Sequence, residues 1–163
     1  MPDERTVIRA TLADLDVVKA TRLRALEDAP YAFASTLERE QLLIEDEWRS
    51  RIESGAWFLA YRGGRPVGVV AAFTEVGQPS HRHLVSMWVE PAERGTSIAA
   101  DLVEAVISWA DEQEAHAVTL WIADGNARAH RLYERLGFVS TGRRQSLPSD
   151  PSLGVEEFIR RLR

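Results

Sequence analysis

The residues with the clearest chemical potential lie in RGTSIA, Arg94–Ala99, which joins a β-rich run to a long apolar helix pattern. A turn that opens a helix presents unpaired backbone N–H groups at the positive end of the helix dipole, where anions bind. Arg94 adds positive charge, Gly95 and Ser97 are small, and the turn contains no acidic residue. The segment therefore predicts a phosphate site, although a solvated turn with Ser97 as a helix cap would use the same residues.

The spacing of this turn differs from two common phosphate-binding loops. It has neither the GxxxxGK[ST] pattern of P-loops nor the GxGxxG pattern of dinucleotide-binding proteins. Residues 87–110, MWVEPAERGTSIAADLVEAVISWA, instead resemble the central motif of the GNAT (Gcn5-related) N-acetyltransferases. That motif, Q/R-x-x-G-x-G/A, wraps the pyrophosphate of acetyl-CoA in the family. The resemblance aligns Arg94 with the first position, Ser97 with the first glycine and Ala99 with the last position.

Ser97 is the departure from this family motif, because a Cβ and a hydroxyl stand where the family usually has neither. One interpretation, which we favour, is that the hydroxyl hydrogen-bonds a phosphate oxygen. The other is that the cofactor lies slightly further out and binds more weakly.

A second motif follows in the expected order. Residues 117–138, AVTLWIADGNARAHRLYERLGF, resemble the family's second half, which is a strand, an Asn and a helix with the pattern A-x-x-x-Y-E-x-x-G-F. Residues 22–40 also resemble the two-helix start of many bacterial members. The resemblance thus covers almost the whole chain, and its second motif is carried by Asn126, Ala129, Tyr133, Glu134, Gly137 and Phe138.

The resemblance implies an acyl-transfer reaction. We expect an N-acetyltransferase that moves the acetyl group of acetyl-CoA, its co-substrate, to a primary amine by direct attack in a ternary complex, without a metal. The acceptor is a small molecule or a peptide or protein amine that the sequence does not identify. The alternative is a non-catalytic domain that binds or senses acyl-CoA. A homodimer is compatible with the family.

The resemblance also assigns roles to residues. Tyr133 is the candidate general acid for the leaving thiolate, because a phenol with a pKa near 10 stays protonated at pH 7; simple packing is the alternative. Asn126 is expected near the pantetheine arm or the acetyl group, unless it only caps a helix. The N–H of Met87 or Val89 is expected to donate to the thioester carbonyl. The full expected cofactor-binding set is Met87, Trp88, Val89, Arg94, Gly95, Thr96, Ser97, Ile98, Ala99, Asn126, Ala129 and Tyr133.

The general base is less well defined. Some family members carry a Glu on the strand before the turn, but residues 84–89, LVSMWV, offer only Ser86. Glu75 or His83 is the preferred candidate, and a water chain is an equal alternative. Further candidates near the expected acceptor cleft are His81, Glu38 and Glu45, and both histidines are predicted to lie in a loop.

The acceptor side is expected in the first two helices and the loop between them, since that region varies with the substrate in the family. Its aromatic residues are the candidate substrate-binding set, with core packing as the alternative for each. They are Tyr31, Phe33 and Trp48.

The hydrophobic periodicity places these residues on a recognisable set of elements. A strand is predicted over 6–10, a helix over about 13–27 capped at Thr11 or Asp14, and a second helix over about 38–53. A hairpin is predicted around Gly63–Gly64. The complete order is β-α-α-β-β-β-α-β-α-β-β, which predicts a single α/β domain over residues 1–163. We expect a mixed, mostly antiparallel sheet of about seven strands flanked by about four helices.

The composition narrows the class of protein. The 163 residues are 45% hydrophobic and 28% charged, typical of a soluble globular domain. The absence of cysteine excludes disulfides and thiolate chemistry, and the four histidines lack metal-ligand spacing. The net charge of −5 argues against nucleic-acid binding. Without a signal core or a membrane-length apolar run, we expect a cytoplasmic protein.

Overall fold

The computed structural model describes residues 4–163, and its centre is a seven-stranded sheet in the order β1-β2-β3-β4-β5-β7-β6. Strands that are neighbours in this order pair antiparallel, except that β4 and β5 pair parallel. This confirms the predicted mixed, mostly antiparallel sheet. The strands are β1 (Arg5–Arg9), β2 (Ala56–Arg62), β3 (Arg65–Glu75), β4 (Gln78–Val89), β5 (Ala117–Ala123), β6 (Val139–Leu147) and β7 (Asp150–Arg161).

Helices cover both faces of this sheet. Thr11 begins the first helical region as predicted, because its hydroxyl caps a short 3₁₀ turn through a reciprocal bond with Asp14. The prediction of one continuous second helix over 38–53 is wrong, because the chain is non-helical at 43–44. Two helices take its place. The helices are α1 (Leu15–Asp28), α2 (Leu37–Gln41), α3 (Glu45–Ser54), α4 (Ile98–Glu112) and α5 (Ala127–Arg135).

Two apolar cores lie on the two faces. Helix α4 turns its buried side, which includes Leu102 and Val106, toward one face, while Asp101 and Glu104 stay exposed on its opposite side. Helices α1 and α3 cover the other face, where Trp48 packs. Strand β3 contributes to both cores, so it is covered on both sides.

The segment predicted as a loop at residues 76–82 is instead a tight turn followed by the start of β4. Gly77 has φ +79°, which lets the chain reverse within two residues, so Glu75 already pairs with Gln78. His81 and His83 therefore lie on a strand inside the sheet rather than in a loop. This difference bears on catalysis, because strand positions hold side chains in fixed directions.

The pairing between β4 and β5 is unusually short. It comprises three residue pairs, ending at His83 with Thr119. Beyond them β4 stays with β3 as far as Val89, while β5 stays with β7 as far as Ala123. The sheet therefore opens between its two halves.

A β-bulge in β4 lies just beyond the opening. Ala71 faces Val85 and Val69 faces Trp88, so two residues of β4 oppose one of β3. Ser86, one of these two, has φ +61°, a left-handed conformation that L side chains rarely adopt. The bulge bends β4 away from β5 at the cost of local backbone strain.

We expect Ser86→Gly to raise the free energy of unfolding by about 0.5–1 kcal/mol, because glycine adopts a positive φ without the Cβ penalty. Ser86→Val should lower it by about 1–2 kcal/mol, since a β-branched residue is least tolerant of that conformation. Urea unfolding of the two variants measures both values. The control is Thr74→Gly on exposed β3, which has an ordinary φ and should lose stability. A loss for Ser86→Gly equal to that of the control would contradict the strain.

Candidate active site

A cleft of about 1330 Å³ occupies the opening between β4 and β5. On one face of the sheet it is lined by the turn before α4 and by α5, and on the other by residues of α1, α2, α3 and the α1–α2 connection. Its middle is lined by β4 from His83 to Val89 and by β5 from Leu120 to Ala123. Ligands on the two faces of the sheet can therefore meet in one continuous space.

The turn before α4 presents a row of unpaired backbone donors. Within residues 4–163 the N–H groups of Gly95, Thr96 and Ser97 donate to no protein acceptor. Gly95 has φ +85° and lines the cleft together with Thr96. Helix α4 begins at Ile98 and adds the positive end of its dipole. The arrangement can bind a diphosphate through main-chain hydrogen bonds.

The Arg94 side chain folds back from this turn onto the protein. Its Nε donates to the carbonyl of Val89 at 3.0 Å, and its Nη2 donates to Asp28 Oδ2 at 2.7 Å. Trp88 Nε1 donates to the same carboxylate oxygen at 3.0 Å. The bond from Trp88, then the bond and charge of Arg94, hold the pKa of Asp28 below its usual range against the opposing effect of burial. Asp28 thereby fastens the turn to the end of α1.

The other side chains of the turn also bond within the protein. Thr96 Oγ1 donates to the carbonyl of Glu93 at 2.6 Å and accepts from the Ile98 N–H at 3.4 Å. Ser97 Oγ donates to Asp101 Oδ2 at 3.2 Å. The Ile98 side chain is fully buried in the core under α4. Of this part of the predicted cofactor set, Arg94, Gly95, Thr96 and Ala99 line the cleft, while Ser97 and Ile98 do not.

The exposed edge of β4 carries the remaining main-chain donors. The Glu90 N–H donates to the carbonyl of Val67, on the β3 side. Because successive N–H groups of a regular strand point to opposite edges, the Val89 N–H faces the open side. The bulge at Ser86 and Met87 interrupts this alternation before it reaches the Met87 N–H. Met87, Trp88 and Val89 all line the cleft, so the predicted alternatives for a thioester-carbonyl donor both stay open.

Helix α5 brings Asn126, Ala129 and Tyr133 to the face of the cleft that the turn before α4 also lines. Asn126 Oδ1 accepts from the Ala129 N–H at 3.2 Å, so it caps α5. Tyr133 is 5% exposed and meets the edge of Phe138 with ring centroids 5.5 Å apart. Burial raises the pKa of the Tyr133 phenol well above its usual value, so it stays protonated.

His83 lies at the last residue pair before the strands part, and it lines the cleft. Its Nδ1 is 2.8 Å from Thr119 Oγ1, which lies 3.1 Å from Glu75 Oε2. The Thr119 hydroxyl has a single proton, which it donates in a hydrogen bond to the Glu75 carboxylate. Its bond with His83 is therefore one in which the hydroxyl oxygen accepts from Nδ1–H. Nδ1 therefore carries the proton and Nε2 keeps a free lone pair.

The charge state of His83 follows from its surroundings. Burial lowers its pKa below the ordinary value of 6.5, outweighing the nearby carboxylates of Glu75 and Glu157, which act in the opposite direction. The ring is thus neutral at pH 7 and is suited to accept a proton. The sequence offered Glu75 or His83 as alternatives, and the structure joins them through Thr119, which sequence reasoning missed. Glu38 and Glu45 do not line the cleft.

The face of the cleft lined by α1, α2, α3 and the α1–α2 connection is called the acceptor face below. The three aromatic residues predicted there take different positions. Tyr31, 62% exposed, lies at the rim, and Phe33 is buried, with both lining the cleft. Trp48 is fully buried in the core below α1 and does not line it. Sequence reasoning missed a charged cluster on this face. Its members are Arg22, Glu40 and Arg51.

Two negative observations apply to residues 4–163. No group of three or more His, Cys, Asp or Glu side chains there is arranged to hold a metal ion. No helix in that range is long and apolar enough to cross a membrane.

The fold and the site define a class of α/β proteins in which a mostly antiparallel sheet parts around a cleft, bordered by a turn of unpaired main-chain donors at the start of a helix. The model of the acetyltransferase (GNAT) family matches residues 20–138. The chain belongs to this family.

Individual relatives agree with this assignment. The chain is 30% identical over 117 residues to the peptidyl-lysine N-acetyltransferase YjaB of Escherichia coli K12, covering 71% of this chain and 70% of that protein. It is 31% identical over 123 residues to the mycothiol acetyltransferase of Thermobispora bispora, covering 73% of this chain and 41% of that protein. The chain spans about two-fifths of the length of several relatives that it matches.

The fold also matches solved structures. The acetyltransferase yncA of Salmonella typhimurium, solved with acetyl-CoA, superposes with a TM-score of 0.80 at 18% identity. The superposition covers 98% of this chain and 95% of that one.

Proposed function

We propose that the protein is an N-acetyltransferase that moves the acetyl group of acetyl-CoA to a primary amine of a small molecule or peptide. The observation that carries this proposal is the row of unpaired N–H groups at Gly95, Thr96 and Ser97, in the turn that follows β4 and borders the cleft between β4 and β5. A diphosphate held there directs the rest of an extended cofactor along the open edge of β4. The acyl end then reaches the middle of the cleft, beside His83.

The proposed chemistry needs three groups. His83 Nε2 takes a proton from the neutral amine as it attacks the thioester carbon, with Thr119 and Glu75 holding the ring in the required tautomer. The N–H of Met87 or Val89 donates to the thioester oxygen as it gains negative charge. The new bond joins the amine nitrogen to the acetyl carbon, and the bond that breaks is between that carbon and sulfur.

Tyr133 serves the departing sulfur. Because burial raises its pKa, the phenol keeps its proton at neutral pH and donates a hydrogen bond to the thiolate. A raised pKa disfavours complete proton transfer, so the main contribution of Tyr133 is stabilisation of the thiolate charge. The sulfur is finally protonated from solvent.

Turnover is the test of this proposal. Purified protein is incubated with acetyl-CoA and a panel of primary amines, and free thiol is followed against acetylated product by mass spectrometry. We expect stoichiometric release of CoA and N-acetyl product. Binding of acetyl-CoA with no turnover on any amine would favour the non-catalytic acyl-CoA-binding alternative, and the absence of binding would remove both.

Asp28→Asn tests how the turn is held. If Arg94 acts by fastening the turn, loss of the Asp28 charge loosens it, and the Kd for CoA rises about 3–10-fold. This is about 0.6–1.4 kcal/mol, a part of the roughly 1.5–3 kcal/mol that a charge-assisted hydrogen bond contributes, because the turn loses order without unfolding. Calorimetry measures the Kd. Glu27→Gln, the same charge change at the neighbouring exposed position, should leave it unchanged. A lower Kd for Asp28→Asn would show that Asp28 withholds Arg94 from the phosphates.

His83→Gln tests the base. We expect kcat to fall by about 10²-fold or more, the usual contribution of general base catalysis. In the wild type, log kcat/KM should fall with slope 1 below the amine pKa and with slope 2 below the His83 pKa, which lies under 6.5. The variant should keep slope 1 throughout.

His81→Gln is the matched control for this profile. His81 also lies near Glu75, at 3.4 Å, but does not line the cleft. It should keep both the rate and the change of slope. Equal pH profiles for His83→Gln and the wild type would assign the base role elsewhere.

Tyr133→Phe tests the leaving-group role. The substitution keeps the ring packing on Phe138 and removes only the hydroxyl. We expect kcat to fall on the order of 10-fold to 10²-fold with an unchanged KM for acetyl-CoA, since loss of a donor that acts in the transition state costs about 1.4–2.7 kcal/mol. Tyr61→Phe, outside the cleft, is the control. An undiminished kcat would end this role for Tyr133 while leaving the transferase proposal in place.

A further inference from the structure

Resting on the proposed function, we propose that the acceptor amine carries a carboxylate, which the acceptor face of the cleft binds through Arg22 and Arg51. The acceptor class is thus an amino acid or a related small amino-carboxylate. The site is built from charged groups on α1, α2 and α3 that the reaction itself does not use. All of them line the same cleft as His83.

The charges of this cluster do not cancel. Glu40 is completely buried and accepts from Arg22 Nε at 3.1 Å, from Arg22 Nη2 at 2.9 Å and from Arg51 Nη1 at 2.8 Å. One carboxylate thus partners two guanidinium groups. Burial raises the pKa of Glu40, but the bonds and charges of Arg22 and Arg51 outweigh it, and the group stays ionised. The cluster carries a net charge of about +1 at neutral pH.

The cluster also leaves hydrogen-bond donors unused. Arg22 is 6% exposed, and its Nη1 is buried without a partner in the described chain. Ser35 Oγ, on another residue that lines the cleft, is buried and unpartnered in the same way. Buried polar groups are rarely left unpaired, because each costs about as much as a lost hydrogen bond. A guanidinium N–H pair together with a hydroxyl is a donor set that fits a carboxylate.

The surroundings hold this donor set in place. Phe33 packs against the Arg22 guanidinium, 4.7 Å from its ring centroid, and the Phe33 carbonyl accepts from Ser149 Oγ of the β6–β7 turn. Arg51 packs on Trp48 at 4.8 Å. The guanidinium groups are therefore preorganised before a ligand arrives, and preorganisation strengthens the binding of a small anion.

Binding of product analogues tests the site without requiring turnover. The protein with CoA is titrated calorimetrically with N-acetyl-L-amino acids and with the corresponding N-acetyl amino-acid amides, which are neutral. We expect at least one acid in the panel to bind 10-fold or more tighter than its amide. Equal affinities across the panel, or no binding of any acid, would overturn the proposal and point to a buried water as the partner of Arg22.

Arg51→Gln is the decisive variant, because Arg51 is partly exposed and its loss leaves the Arg22–Glu40 pair intact. It removes the net positive charge, so the preference for acid over amide should shrink about 10-fold while CoA affinity is retained. Arg49→Gln, the same change on the exposed side of α3 and away from the cleft, should leave the preference unchanged. An unaltered preference in Arg51→Gln would refute the assignment. If the variant does not fold, the acid-to-amide comparison in the wild type decides alone.

Turnover separates this inference from the proposed function. With acetyl-CoA, L-amino acids should be acetylated with a higher kcat/KM than their amides, although the amides have the less basic amine and are more often neutral. Turnover of acids and amides alike would retain the transferase and refute the carboxylate site. Tight binding of acids without any turnover would retain the site and refute the transferase.

Discussion

The separation of β4 from β5 beyond His83 and Thr119 is the constraint on which the rest of the structure depends. Each strand keeps one partner strand and leaves its other edge open inside the protein. Unpaired main-chain groups in such a place cost about 1–3 kcal/mol each unless water or a ligand meets them. The open edge therefore creates the cleft and also favours an extended, polar ligand that can pair with it.

The positions of the proposed reactive groups follow from where the strands part. His83 belongs to the last residue pair between β4 and β5, and it also pairs with β3, so its backbone is fixed from both neighbouring strands. Thr119 on β5 fixes its ring. Just beyond, the bulge at Ser86 turns β4 outward and ends the regular ladder. A base on a rigid element next to donors on a free edge is an arrangement that needs little reorganisation during the reaction.

The sequence was sufficient to predict the elements whose signal is local. The apolar pattern of α4, the hairpin at Gly63–Gly64 and the two family motifs predicted the fold and the turn that opens α4. The pairing of Glu75, Thr119 and His83 could not be read in the same way, because it joins residues 36 and 44 positions apart across three strands. Nor does helical spacing distinguish a buried Glu40 from an exposed Glu38, since both occupy the first turn of α2.

The departure at Ser97 is understandable in terms of backbone geometry. Ser97 has φ −77° and ψ −4°, an ordinary helical conformation, so this position does not need glycine's freedom. Its side chain turns to Asp101 at 3.2 Å, away from the cleft, and leaves its N–H unpaired. The position with φ +85° is Gly95, and there a side chain would be strained. Since the proposed anion-binding groups are main-chain N–H groups, the turn keeps its donors with serine in place of the family's glycine.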